Sequence, residues 1–184
     1  MSGSNALWST INFDISGNTP VTTFLVGSVT TIGSPGPGAH IGLAGSATPP
    51  QYFGVLAYQD ANQTLLYAPS CFGPDVAQQR IPNISGQRYL LCAFYNRTVI
   101  QGTYNGTLIP SASLTTANFA ARPFQIGMRN ANTGPASSGT ICESICYTGA
   151  LSSNDRQRVE GYLAWKWGLG GSLPFFHPYR TLKP

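Results

Sequence analysis

The chain is short of charge. Only 9% of its 184 residues are Asp, Glu, Lys or Arg, against the roughly 25% usual in soluble domains. Ten basic residues against six acids give a net charge of +4. The bases are scattered, at Arg80, Arg88, Arg97, Arg122, Arg129 and Lys183 among others, so no basic stripe marks a nucleic-acid partner. Long apolar runs are missing as well. No stretch reaches the roughly 18 consecutive apolar residues of a membrane span, and the opening MSGSNALWST lacks the basic and apolar regions of a signal peptide. The expectation is therefore no membrane partner and no export by an ordinary signal peptide.

Catalytic and metal-binding patterns are absent too. The six acids, Asp14, Asp60, Asp75, Glu143, Asp155 and Glu160, are far apart in sequence, whereas a retaining glycosidase needs two carboxyls about 5 Å apart. Neither G-x-S-x-G nor a phosphate-cradling G-x-x-x-x-G-K occurs, and His40 and His177 have no partnered nucleophile. No catalytic residue is expected. Cys71, Cys92, Cys142 and Cys146 do not have zinc spacing. On one face of a strand, Cys142 and Cys146 would lie roughly 13 Å apart at about 3.3 Å per residue, too far to bridge. Cys92 could pair with either across strands, but buried free thiols are the expectation. Four Asn-x-Ser/Thr sequons, at Asn62, Asn83, Asn96 and Asn105, carry no weight without secretion. Asp60 and Asn62 offer oxygen ligands for calcium, yet one carboxylate makes a poor cage and both residues are what a hairpin turn needs. No metal or cofactor is expected.

What remains is glycine and proline, 21 and 14 residues, with much Ser, Thr and Asn. That is the profile of an all-β chain with many turns, and its length suits one domain over residues 1–184 with a sizeable core. A thinly charged surface covers itself against neighbours, which points to a homo-oligomer or a packed assembly.

The alternation of residue types marks strands over 6–14, 22–33, 40–47 and 124–130, with a bend at Gly27 and a rigid proline-glycine loop over 34–38. Residues 51–69 read as a hairpin turning at 60–63. Residues 70–87 form an irregular loop with Phe72 near its tip. The most apolar strand, 88–96, belongs at the centre of a sheet. It leads into a three-strand meander closed by Asn105-Gly106, the strongest short hairpin signal because both residues tolerate positive φ. The last strand, 140–149, puts Ile141, Glu143, Ile145 and Tyr147 on one face and Cys142, Ser144 and Cys146 on the other.

One helix is convincing, at about 152–168. Ser152 caps its first turn and Asp155 reaches back from three residues on; Gly168 ends it. At about 100° per residue, Val159, Tyr162, Leu163 and Trp167 share an arc with Leu169 at its edge. Lys166 falls mid-arc, so it either runs its stem along the core with its head in water or reaches a buried acceptor. Glu143 is a carboxylate between isoleucines, and buried charges are paired, so Glu143 and Lys166 or a nearby arginine should meet. Glu143, Lys166, Val159, Leu163, Trp167 and Ser152 are structural residues in this reading. Trp165 points away from the arc, to the tail or to another subunit, and is the interface candidate. The aromatic tail, 173–184, packs the helix back on the sandwich.

Gly139, Ile141, Glu143 and Tyr147 form G-x-I-x-E-x-x-x-Y, followed by Ala150 to Ser152 opening the helix. This pattern resembles the concanavalin A-like lectin/glucanase superfamily, and within it the laminin-G-like jelly-roll modules. VEGYLAWKWGL at 159–169 and LPFFHPY at 173–179 are similar to a C-terminal signature of phage, large-virus and environmental bacterial members. The resemblance implies an all-β fold of two facing antiparallel sheets, a jelly roll with one C-terminal helix, and rim loops that bind glycans or proteins. It does not imply catalysis, because fold and function separate. The function expected is a non-catalytic virion or appendage module, a capsid, decoration or fibre protein packing against self or other virion subunits at a particle surface after cytoplasmic synthesis. The alternative is a stand-alone glycan-binding lectin or adhesion module, and a glycoside hydrolase is the remote third. Phe72, Asp75, Asn130 and Asn132 are the ligand-binding candidates, since aromatics stack on sugar rings and Asn and Asp bond hydroxyls.

Overall fold

The computed structural model describes residues 7–12, 15–32, 36–43, 53–59, 65–71, 79–80, 86–113, 115, 117, 119, 123–126 and 137–184. Among them run β1 (Leu7–Asn12), β2 (Val21–Ile32), β3 (Gly36–Leu43), β4 (Phe53–Gln59), β5 (Leu65–Cys71), β6 (Gln79–Arg80), β7 (Tyr89–Tyr95), β8 (Val99–Tyr104), β9 (Thr107–Ser113), β10 (Pro123–Ile126), β11 (Ser137–Tyr147) and the helix α1 (Ser153–Lys166). A single 3-10 turn, Gly170–Ser172, follows the helix. The strands make two sheets, ordered β1-β10-β3-β4-β5-β6 and β11-β2-β7-β8-β9. Strands β2 and β7 approach β4, β8 approaches β5, and β11 approaches β3. Two antiparallel sheets thus face each other as a sandwich, the all-β architecture with one C-terminal helix that the turn-rich sequence predicts.

Strand β7 is the middle strand of its sheet and all seven of its residues are buried. An apolar run this uniform needs cover on both faces. Leu90, Cys92 and Phe94 join Phe24 and Val26 of β2 in a cluster with Leu163, Ala164, Leu169 and Leu173 from the helix and tail. By strand alternation, Tyr89, Leu91, Ala93 and Tyr95 face the opposite way, toward the second sheet. The helix therefore lies on the outer face of the five-stranded sheet, not between the sheets.

The Asn105-Gly106 turn closes β8 on β9 with φ of 47° and 77°, the left-handed pair that a two-residue hairpin requires. Asn105 does more than turn. Its Oδ1 accepts from Leu90 N at 2.8 Å and its own N–H donates to Leu90 O at 2.8 Å, which ties the hairpin tip to β7. The meander over 88–110 is present as β7, β8 and β9 in adjacent antiparallel order.

The pairing of β11 with β2 departs from simple alternation. Ile141 faces Gly27 and Glu143 faces Val26, so Cys142 is an extra residue in a bulge. A bulge turns consecutive side chains the same way. Cys142 consequently packs against the helix-side cluster together with Ile145, rather than sharing the other face with Ser144 and Cys146 as strict alternation predicts. Gly27 is required opposite the bulge, because a Cβ there would lie 2.6 Å from Thr140 O. Cys92, Cys142 and Cys146 are all free thiols.

Several boundaries differ from the sequence reading: the expected irregular loop over 70–87 contains the end of β5 and the short strand β6, and the last strand, expected over 140–149, is Ser137–Tyr147. The proline-glycine stretch expected to be a loop over 34–38 enters β3 at Gly36. Its Gly36–Ala39 segment pairs with β4, while β10 pairs only from Ile41 on. A proline is tolerated where the ladder is one-sided. Of the strand expected over 124–130, the described part is Pro123–Ile126, and residues 127–130 lie outside the described residues. The turn at 60–63, with Asp60 and Asn62, lies outside the described residues.

Candidate functional site

The best-defined chemistry gathers where α1 and the tail meet the five-stranded sheet. Ser152 caps the helix: its Oγ accepts from Asp155 N at 3.2 Å and donates to Asp155 Oδ2 at 2.6 Å. The helix ends with Leu169 N bonded to Ala164 O at 2.6 Å and Gly168 at φ 73°, a Schellman-type stop. Between these caps the buried residues are Glu160, Gly161, Leu163 and Ala164. Val159 and Trp167 are partly buried against the same cluster, whereas Tyr162 is 44% exposed.

The buried face is therefore turned about the helix axis from the arc of large apolar side chains drawn from sequence. Its centre is Glu160, not Lys166. The reason is the small pair Gly161 and Ala164, which lets other chain segments approach closely on that side. A Cβ on Gly161 would meet Tyr179 Cγ at 2.7 Å, so the tail packs on the helix backbone itself.

Glu160 is 2% exposed and His177 4%. Glu160 Oε1 accepts a hydrogen bond from the Thr103 hydroxyl of β8, and its Oε2 lies 3.2 Å from His177 Nε2. His177 Nδ1 accepts from Tyr179 N at 3.2 Å. An acceptor at Nδ1 places the ring hydrogen on Nε2, where it donates to the carboxylate. Strand, helix and tail are thus joined at one buried carboxylate. Cys92 lies close enough that burial first, and the Glu160 charge second, raise its thiol well above the ordinary value.

A second cluster flanks the first. Glu143 Oε2 accepts from the Trp167 indole N–H at 2.7 Å and stands 3.0 Å from Lys166 Nζ. Lys166 also donates to the Tyr162 hydroxyl at 2.9 Å. Burial opposes ionisation of Glu143, but the donors Trp167, Lys166 and Tyr162 and the Lys166 charge outweigh it and hold the carboxyl below its ordinary value. The Tyr162 contact first, and Glu143 second, hold the Lys166 ammonium above its own. Arg88 completes the edge, donating to Trp167 O at 3.1 Å.

Trp165 meets the tail. Its indole N–H reaches Tyr179 O and Leu182 O, each at 2.9 Å, while its ring is 37% exposed. The tail is not wholly a packing element, however. Leu173 and His177 are buried, but Phe175 and Phe176 are 91% and 81% exposed. They occupy the centre of the turn closed by His177 N on Pro174 O at 2.9 Å, where neither ring can reach the core.

The structure thus brings Glu143, Lys166 and Trp167 together, and seats Leu163 and Val159 on the same cluster. Phe72, Asp75, Asn130 and Asn132 lie outside the described residues. Sequence reasoning missed the Glu160–His177 contact. The signal lay in the small residues next to Glu160, which mark where a second segment comes close. Both carboxylates are held by structural donors on the outer face of the sheet.

The comparisons with known proteins bear on the fold. No protein-family model matches the chain, and no curated protein sequence does. Among solved structures, a heptameric SAP-like pentraxin from Limulus polyphemus is 13% identical, with a TM-score of 0.64 over 84% of this chain and 75% of that one. The fold is a jelly-roll β-sandwich. This sandwich is similar also to domain 4 of an extracellular GH43 arabinanase from Geobacillus stearothermophilus, solved with arabinotriose, at 16% identity and a TM-score of 0.53 over 78% of this chain and 66% of that one. Trypanosoma rangeli sialidase matches at 15% identity and a TM-score of 0.59, over 82% of this chain. The sandwich spans only 23% of the sialidase's length.

Proposed function

We propose that this chain is a non-catalytic carbohydrate-binding module of the lectin-like jelly-roll class, of the laminin-G-like type with a YLAWKWG helix. The observation that carries the reading is the likeness, across most of both chains, to a pentraxin and to an arabinanase domain solved with a trisaccharide. The helix and tail cover the outer face of the five-stranded sheet, so the ligand surface is a rim, where Phe72, Asp75, Asn130 and Asn132 are the candidates. Absence of catalysis is part of the proposal. Glu160 is sealed under the tail and Glu143 is tied to Trp167 and Lys166, an arrangement suited to holding structure rather than to exchanging protons with a sugar.

A second reading places the module in a virion or appendage, packed on neighbouring subunits. What favours it is the charge content of 9% together with the exposed Phe175 and Phe176. The two readings are compatible. A glycan array on the purified chain, run beside an assay for release of reducing ends, separates them from each other and from a hydrolase. Binding without release supports the lectin reading. Binding to no glycan, with stable assembly, supports packing alone. Sugar release that is lost in Glu143→Gln or Glu160→Gln overturns the non-catalytic reading.

A further inference from the structure

One rim of the sandwich gathers outward-facing donors on a stiff base. Residues 15–20 lie on the way from β1 in one sheet to β2 in the other. The turn after β7 stands beside them, since Arg97 Nε donates to Asn18 O at 3.2 Å. Gly17 and Phe119 exchange backbone bonds of 2.6 and 2.9 Å, and Thr19 Oγ1 donates to Ser16 O at 2.6 Å. Asn18 Oδ1 accepts from the Tyr95 hydroxyl and from Ala117 N at 3.2 Å. A backbone N–H can only donate, so the Ala117 contact fixes which end of the amide is oxygen. The amide nitrogen of Asn18, an exposed residue, is turned away from both partners with two hydrogens to give.

Arg97 supplies the charge. It is the first central residue of the turn closed by Asn96 N on Val99 O at 3.2 Å, and its φ is 77°. Glycine takes such a φ without penalty and is the residue favoured there, whereas a Cβ is strained. A side chain therefore stands where local stability prefers none. Burial does not account for it, because the residue is exposed. Ion pairing does not either, since Arg97 makes no salt bridge among the described residues. Arg88, Arg156 and Arg180 each give a terminal nitrogen to a backbone carbonyl. Arg97 commits only Nε, which leaves the Nη1–Nη2 end of its fork open to solvent.

We infer that this open fork, with the Asn18 amide beside it, receives the carboxylate of an acidic saccharide. Two parallel N–H groups match the two oxygens of a carboxylate, and the amide nitrogen can donate to a neighbouring sugar oxygen. The ligand class rests on the carbohydrate-binding reading above, to which Arg97 adds the charge. At an exposed site the contact is screened, so affinity falls as salt rises.

A glycan array tests this with the full chain. It carries oligogalacturonides, hyaluronan fragments and sialyllactose, each beside its neutral carboxyl-amidated form. At least one acid is expected to half-saturate at a concentration about tenfold or more below that of its neutral form. Arg97→Gly loses that preference without a lower Tm, because glycine relieves the positive φ. Arg97→Lys keeps the charge but not the fork, and retains part of it. Asn18→Asp keeps an acceptor for Tyr95 and Ala117, sets a negative charge beside the guanidinium, and abolishes the preference. Equal binding of acids and their neutral forms, or a preference that survives Arg97→Gly, overturns the inference and leaves glycan binding in place. A chain that binds no saccharide of either kind overturns both.

Discussion

Glu160 on the helix and His177 in the tail face each other at 3.2 Å, both almost wholly removed from water. The pair fixes where the last residues of the chain lie. Its removal leaves one buried group uncompensated, at a cost of about 3–5 kcal/mol. His177→Ala is expected to lower Tm by more than about 6 °C and to open residues 170–184 to limited proteolysis while the sandwich persists. An unchanged Tm with a protected tail would show that the contact is incidental.

Gly161 sets two effects against each other. Alanine in a helix interior is favoured over glycine by about 1 kcal/mol, so Gly161→Ala would stabilise an exposed helix. Here the added Cβ meets the Tyr179 side chain, with Cγ at 2.7 Å, and overpacking costs about 1–3 kcal/mol. The variant is expected to be less stable than the wild type by thermal melt. Gly161→Ala combined with Tyr179→Ala should recover part of the loss. A stabilised single variant would place the tail elsewhere.

The Glu143 cluster carries a pH signature. Its folded carboxyl sits below the ordinary value of 4.5, so it contributes stability in full above that value and loses it as pH falls through the folded one. Lys166 is shifted the other way, above 10.5, so its part is full below that value and lost as pH rises through the folded one. Between the two the contribution is constant. Glu143→Gln should lower Tm by about 2–4 °C at neutral pH, through loss of a charged acceptor for Trp167. The difference from wild type should shrink as pH falls below 4.5 toward the depressed folded value. A gap that stays constant all the way down to acid unfolding would assign the loss to shape rather than charge.

These particulars show how much was legible in the sequence. The sandwich, the central β7, the meander and the Asn105-Gly106 turn follow from local chemistry, because alternation and turn residues are written into neighbouring positions. Ser152 and Gly168 marked the helix ends for the same reason. The face of the helix was not legible from side-chain size. Its large residues point at an arc containing Lys166, but what buries a face is the segment that packs on it, and that segment is the tail at Tyr179 and His177. Nor was the bulge at Cys142 legible, since a ladder's register depends on its partner strand and on Gly27. The exposure of Phe175 and Phe176 ran against hydrophobicity, because Leu173 and His177 already fill the space under the turn.

The thiols report burial directly. Desolvation pushes Cys146 up to about 12, leaving roughly one molecule in ten thousand as thiolate at pH 8, and Cys92 is shifted well upward for the same first reason. In the folded chain both are expected to react with a thiol reagent at least about a hundredfold more slowly than in denaturant. Fast labelling of Cys92 in the native state would contradict the packing of β7 beneath the helix.

The central claim is that this sandwich binds carbohydrate and leaves it intact. Calorimetric titration of the glycan that binds best on an array, followed by chromatography of the recovered sugar, tests it most directly. The expected result is saturable binding at one site per chain with the glycan unchanged. No binding to any glycan, or a cleaved sugar, would contradict it.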